Sequence, residues 1–250
     1  MKITKHITFF YNESRIAYIN RIINETNNYE IPTDIFIHTN NKELTICIFD
    51  EYTNGSINII PHDLTNVHPF FLSWSYRDLM SSQKDDYDIF IYIEDDMLVP
   101  YNAIKYWLEY NERLIELNYN LGFVRIEVED GIEYIVDLPG VKLDTTIILQ
   151  DIEFCVNNKN PYCAFWIYNK NEFARFVSSE YYDIRNITHY NIREASAIGL
   201  HGIPRYWYHD TVIPIINHKL TDHCKIYHMQ NNYCASKDNH FSTIKFNDAL

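Results

Sequence analysis

A chain of 250 residues, 46% hydrophobic and 22% charged, has the composition of a globular protein that buries one substantial core. Its formal net charge of −13 argues against a general binder of nucleic acid or of anionic membranes. No run approaches the roughly 20 apolar residues of a membrane span, and the N-terminus lacks the pattern of a secretory signal, so a cytoplasmic protein (host cytoplasm if viral) is expected.

In chain order, His6 to Tyr11 reads as a first strand. A helix follows from about Glu13 to Asn28, with apolar residues at Ile16, Ile19, Ile22 and Ile23 on one face. Thr33–Thr39, Leu44–Phe49 and Ile57–Ile60 read as strands, the first two separated by the turn-like Asn40-Asn41. Pro69 suits the first turn of a helix running to about Ser81. The segment around Ile89–Ile93 is a strand with no polar face, and Tyr101–Leu117 is a strong amphipathic helix. Alternating strands and helices predict an α/β fold with a Rossmann-type mixed sheet flanked by helices, as a single compact domain.

From Gly122 the pattern changes. Phe123–Glu129 and Ile132–Asp137 flank Asp130-Gly131, a hairpin signal. Beyond them the chain reads as irregular, with helices at Asn171–Ser179 and Ile192–Leu200. Seven of the eleven histidines lie at or beyond His189. A functional division follows: a nucleotide-facing part to about residue 120 and an acceptor-facing part after it. Five cysteines form no Cys-x-x-Cys pair and are expected to be reduced thiols. Cys224, His228 and Cys234 match no structural zinc spacing. Four Asn-x-Ser/Thr sequons, starting at Asn12, Asn24, Asn54 and Asn186, are read as accidental.

The most informative feature is the strand that ends in Glu94-Asp95-Asp96. Three carboxylates where a buried strand leaves its sheet incur mutual repulsion and desolvation. A divalent cation relieves both, and hard oxygen donors suit Mg²⁺ or Mn²⁺. The carboxyl edge of an open α/β sheet is also where ligands bind, so a metal-assisted site for a phosphorylated ligand is one reading and an acidic loop the other. Arg77, three residues after Trp74, shares its helix face and is placed either to meet a phosphate or simply to lie at the surface.

The run Glu94-Asp95-Asp96-Met97-Leu98-Val99-Pro100 between a strand and a helix resembles the DxD element of GT-A glycosyltransferases, in the Glu-Asp-Asp form of inverting N-acetylglucosaminyltransferases. His68-Pro69-Phe70-Phe71-Leu72-Ser73-Trp74-Ser75-Tyr76-Arg77 resembles a His-Pro…Trp…Arg helix of GT-A-like proteins, and His228-Met229-Gln230-Asn231-Asn232-Tyr233 resembles their C-terminal element. This resemblance implies a glycosyl transfer from a nucleoside-diphosphate sugar to a glycan or other hydroxyl acceptor, with Mn²⁺ or Mg²⁺ as cofactor. Asp96 is then the metal ligand, Asp95 lies near the ribose or sugar hydroxyls, and Glu94 orients Asp95 or a metal-bound water. His228 is the candidate for a further metal or diphosphate contact, with His223 as its substitute. Tyr11, Asn12 and Arg15 lie where GT-A folds hold the nucleotide base.

An inverting transferase needs a carboxylate to deprotonate the acceptor hydroxyl. Glu194, at the predicted start of a late helix, is the choice, with Asp210 and Asp222 as contenders; a glutamate there also merely complements the helix dipole. Trp166 and Trp207 suit either core packing or an acceptor sugar. A non-catalytic sugar- or nucleotide-binding protein on the same fold, and a metal-dependent phosphodiesterase or nucleotidyltransferase, are the competing function classes.

Overall fold

The computed structural model describes residues 1–44, 51–183, 185, 192–201, 208–236 and 241–250. The expected strand Leu44–Phe49 thus lies almost wholly outside the described residues, as do Cys47, Asn191 and Trp207. The chain forms two compact units: Met1–Met97 with Ala164–Leu200, and Leu98–Cys163 with His201–Leu250. The chain re-enters the first unit at Ala164 to supply one more strand.

The first unit opens with β1 (Ile3–Phe9), α1 (Ile16–Asn27), β2 (Thr33–Thr39), β3 (Ile57–Pro61), α2 (Arg77–Ser82) and β4 (Ile89–Glu94). β1, β2 and β4 are buried along their whole length, the pattern of strands covered on both faces. A 3-10 turn at Glu13–Arg15 leads into α1, which buries Ile19, Ile22, Ile23 and Thr26. The helix expected over residues 69–81 divides in two: a 3-10 segment at Pro69–Trp74, then α2. Ser73 and Ser75 donate their hydroxyls back to the carbonyls of Phe70 and Leu72, which competes with a continuous α-helical ladder.

The second unit begins with α3 (Tyr101–Glu116), preceded by the two-residue β5 (Met97–Leu98), and continues through β6 (Tyr119–Leu121), β7 (Val124–Glu129), β8 (Ile132–Ile135), β9 (Thr146–Leu149) and β10 (Ile152–Val156). The expected hairpin is present: β7 and β8 pair antiparallel, with Asp130 and Gly131 both at positive φ. The first unit resumes with β11 (Phe165–Asn169), α4 (Lys170–Val177) and α5 (Ile192–Ser196). β12 (Asp210–Ile216), β13 (Lys219–Leu220), β14 (Lys225–His228) and β15 (Ile244–Lys245) complete the second unit. Its strands order as β13-β12-β10-β9, with β6 parallel to β12, and as β15-β8-β7-β14. Among the described residues, the stretch after residue 137 carries seven short strands, β9 to β15, that pattern reading did not find. No helix of the described residues is long and apolar enough to cross a membrane.

The first unit's sheet has the order β11-β4-β1-β2-β3. β4, β1, β2 and β3 run parallel and β11 runs antiparallel to β4, giving a mixed α/β sheet of Rossmann type. From β1 the chain moves outward to β2 and β3, then returns to the other side of β1 as β4. This reversal makes a switch point between the carboxyl ends of β1 and β4, where open sheets form ligand crevices.

On one face of this sheet Phe90 stacks on Phe173 at 4.0 Å, and Tyr92 lies against Tyr76 at 4.2 Å and Trp166 at 5.9 Å. Trp166 is thus a core residue of the first unit. Three histidines also line up across the strands. The Nδ1 of His6 meets the Nε2 of His38 at 2.8 Å, and the Nδ1 of His38 meets the Nε2 of His62 at 2.9 Å. The chain ends on Gln83, whose Oε1 lies 2.9 Å from the Nε2 of His6.

Lys5 is fully buried in β1, with Nζ 2.7 Å from Thr26 Oγ1 and 2.8 Å from Tyr29 Oη. Burial lowers its pKa from 10.5 to about 7, opposed by the charge of Glu25. Between these values the unfolded chain holds a proton that the folded chain lacks, so stability rises with pH across that window. Denaturant unfolding from pH 7 to 10 should show this rise, and Lys5→Met should flatten it; an unchanged slope in the variant would remove Lys5 as the cause.

Candidate functional site

The carboxyl ends of β1 and β4 meet in register, with Thr8 opposite Glu94. Around them lies a cavity of about 280 Å³ lined by Thr8, Phe10, Arg15, Phe70, Glu94, Asp95 and Arg193, among others. Four local structures position these groups. The Thr8 hydroxyl lies 3.1 Å from Tyr92 Oη, which in turn lies 3.1 Å from Ser196 Oγ, tying β1 to β4 and α5. His68 caps the 3-10 segment, its Nδ1 accepting from Phe70 N at 3.2 Å, and Pro69 occupies the first turn. Trp74 donates from Nε1 to the carbonyl of Ile192 at 2.6 Å, which anchors the start of α5. Asn12 caps the turn that carries Arg15, accepting from Ser14 N at 3.0 Å.

Glu94, Asp95 and Asp96 are only 8%, 4% and 4% exposed, so their charges need local compensation. Two arginines provide it. One nitrogen of Arg15, Nη2, lies 2.8 Å from Asp95 Oδ1 and 2.6 Å from Asp96 Oδ2, bridging the two carboxylates. Arg193 pairs with Glu94 Oε2 at 2.5 Å. The charge of Glu94 raises the pKa of Arg193, against the opposing effect of burial. Burial and then the adjacent Asp96 charge push the Asp95 carboxyl well above the usual range, despite Arg15. Asp95 Oδ2 is buried and has no hydrogen-bond partner, and neither does Arg15 Nε.

Among the described residues no group of three or more His, Cys, Asp or Glu side chains is placed to hold a metal ion. The acidic pair nonetheless fits a cation held in the manner of Mg²⁺ in phosphate sites, where one or two carboxylates and the substrate's own oxygens suffice. The unpartnered Asp95 Oδ2 supplies a hard oxygen donor for such an ion.

The other expected site residues fall in several places. Arg77 departs most from expectation. It is 4% exposed and donates to the carbonyls of Tyr181, Tyr182 and Ser196 and to Tyr76 Oη, while its guanidinium lies 3.9 Å over the Trp74 ring. Trp74 and Arg77 do share a face, but Arg77 does not line the cavity: its donors go to backbone oxygens and to the Tyr76 hydroxyl. Tyr11 is partly exposed and donates its backbone N–H to Asn40 Oδ1 at 2.7 Å. Neither Tyr11 nor Asn12 lines the cavity, whereas Phe10 beside them does.

Glu194 is an exposed residue of α5, and its neighbour Arg193 pairs with Glu94 instead. α5 ends at Ser196, short of the expected Leu200, and Gly199 beyond it adopts φ 64°, where a Cβ would lie 2.2 Å from Tyr168 Oη. Asp210 is exposed at the start of β12 in the second unit, opposite Tyr119. His228, also in the second unit, is buried at the end of β14 with Nδ1 2.6 Å from Glu127 Oε1. Glu127 further accepts from the backbone N–H of Cys234 at 2.7 Å and Tyr233 at 3.0 Å. Burial opposes ionisation of Glu127, but these bonds, that of His228 foremost, hold its carboxyl below the usual range.

Phe10 and Phe70 are the site residues that pattern reading passed over or gave no role; Arg193, expected to keep the Glu194 carboxylate ionised, pairs with Glu94. Phe10 and Phe70 are 45% and 44% exposed, unusual for phenylalanine, and both border the cavity.

No family model matches this chain, and no curated protein matches it. Among solved structures, the crystal structure of S. aureus TarS 1-349 aligns with a TM-score of 0.46 at 8% identity, over 91% of this chain. The chain spans 60% of the length of that structure.

Proposed function

We propose that this chain is a metal-dependent glycosyltransferase, moving a sugar from a nucleoside-diphosphate donor to a hydroxyl acceptor with inversion. The observation that carries the reading is the acidic pair Asp95-Asp96, buried at the switch point of the first unit's mixed sheet, with an unpartnered carboxylate oxygen beside a cavity. Asp96 and Asp95 would hold Mn²⁺ or Mg²⁺, which when bound stabilises charge on the departing diphosphate. Arg15 and Arg193 pair with these carboxylates, and guanidinium groups suit phosphate oxygens. Phe10 and Phe70 offer ring faces to a base or a sugar, with Tyr11 and Asn12 in the adjoining turn. Glu94 keeps Arg193 in place. Glu194, one residue beyond Arg193, is proposed as the general base.

The pairing of all three carboxylates with arginine favours a second reading, a non-catalytic binder of sugars or nucleotides on the same fold. A thermal-shift screen of nucleoside-diphosphate sugars with and without Mn²⁺, followed by product analysis of any hit, separates the two. Donor-specific stabilisation with release of nucleoside diphosphate supports the transferase. Stabilisation without turnover over a panel of acceptors supports the binder. Release of monophosphate or pyrophosphate assigns the carboxylates to phosphodiester or nucleotidyl chemistry.

A further inference from the structure

We infer that Arg15 is a built-in counter-ion that occupies the cation position of the acidic pair, so that it and a divalent cation compete for Asp95 and Asp96. This rests on the metal-site reading above and concerns how that site is regulated. A single nitrogen, Arg15 Nη2, bridges Asp95 Oδ1 and Asp96 Oδ2 at 2.8 and 2.6 Å, as a bound cation would bridge them. A carboxylate oxygen engaged by a guanidinium is a poor donor to a second positive charge. Yet the site is incompletely satisfied: Asp95 Oδ2 and Arg15 Nε are both buried without partners.

One change satisfies both. If an anionic group enters the cavity, the guanidinium can rotate onto it, leaving the acidic pair open to a metal ion. Arg15 then serves as a latch that ties cation binding to the arrival of an anion such as a diphosphate. It is a positioning residue, and its side chain is 19% exposed, enough to be reached from the cavity it lines. The turn that carries Arg15 is capped by Asn12 and leads directly into α1, so its backbone is held and the latch would act through side-chain torsions alone.

The test uses Mn²⁺ alone as probe, with binding followed by titration calorimetry and by thermal shift. Wild type should bind Mn²⁺ weakly. Arg15→Gln, which removes the competing charge, should bind it at least ten-fold more tightly and gain more in melting temperature on adding Mn²⁺. Arg15→Lys, which keeps the charge, should behave as wild type. Asp96→Asn in the Arg15→Gln background should lose the gain. If Arg15→Gln folds poorly, recovery of its melting temperature by Mn²⁺ but not by equal ionic strength reports the same competition. Equal Mn²⁺ affinity in wild type and Arg15→Gln overturns the latch while leaving the metal site standing. Absence of Mn²⁺ binding in every variant removes both the latch and the metal reading.

Discussion

Asp96→Asn is expected to abolish Mn²⁺-dependent stabilisation by the donor and to lower turnover by about 10²–10³, the usual worth of one electrostatic group at a site of developing charge. The substitution keeps the shape of the side chain and removes one negative charge beside Arg15 Nη2. Asp95 still pairs with Arg15, so the melting temperature without ligand should change little. Thermal shift with donor and Mn²⁺, alongside a coupled assay for released nucleoside diphosphate, measures both effects. Full retention of the Mn²⁺-dependent shift in this variant would be incompatible with Asp96 as metal ligand.

The second large effect belongs to Arg77 and is one of stability. Its guanidinium satisfies three backbone carbonyls and one tyrosine hydroxyl and covers the Trp74 ring, all within the first unit. Arg77→Ala leaves the carbonyls of Tyr181, Tyr182 and Ser196 without this donor and opens a void beside Trp74. Loss of the charge-assisted bonds to these carbonyls and of the packing on Trp74 should together cost about 3–5 kcal/mol. For a chain of this size that corresponds to a fall of roughly 6–20 °C in melting temperature. Arg77→Lys should recover little, because an ammonium group cannot span several acceptors and stack on an indole at once. Donor affinity of the protein that remains folded should be unchanged. A variant with a normal melting temperature and weakened nucleoside-diphosphate binding would restore Arg77 to the phosphate role.

These two residues show what a sequence discloses and what it conceals. The carboxylates were legible because residue type and place coincide: an all-apolar strand and three acids at its end leave few alternatives. Arg77 was misplaced because its partners, Tyr181, Tyr182 and Ser196, lie over a hundred residues away. The same holds for the pairing of Arg15 with Asp96 across 81 positions and of Arg193 with Glu94 across 99. Local pattern carries no information about such distances.

The fold divides along the same line. β1, α1, β2, β3, β4 and α3 follow from periodicity, and the β7–β8 hairpin announces itself through Asp130-Gly131. Two other hairpins carry no such sign. Gln150-Asp151 between β9 and β10 and Asn217-His218 between β12 and β13 adopt positive φ at both residues without a glycine. Once those turns are missed, the flanking strands dissolve into apparent irregularity. β11 is harder still, since only its antiparallel pairing with β4 makes Phe165–Asn169 part of the first sheet.

The line of His6, His38 and His62 also constrains how this chain can change over time. Gln83 Oε1 can only accept, so His6 must donate from Nε2 and accept at Nδ1; the same polarity then passes to His38 and His62. Burial keeps His6 and His38 uncharged, so each ring is confined to one tautomer. The central ring is therefore not exchangeable by itself: an apolar residue at position 38 would strand an acceptor on one side and a donor on the other. Substitutions at the three positions must be strongly non-additive. A descendant that loses one of these histidines is under pressure to replace all three together with apolar residues, and lineages that drift one position at a time pass through a destabilised intermediate.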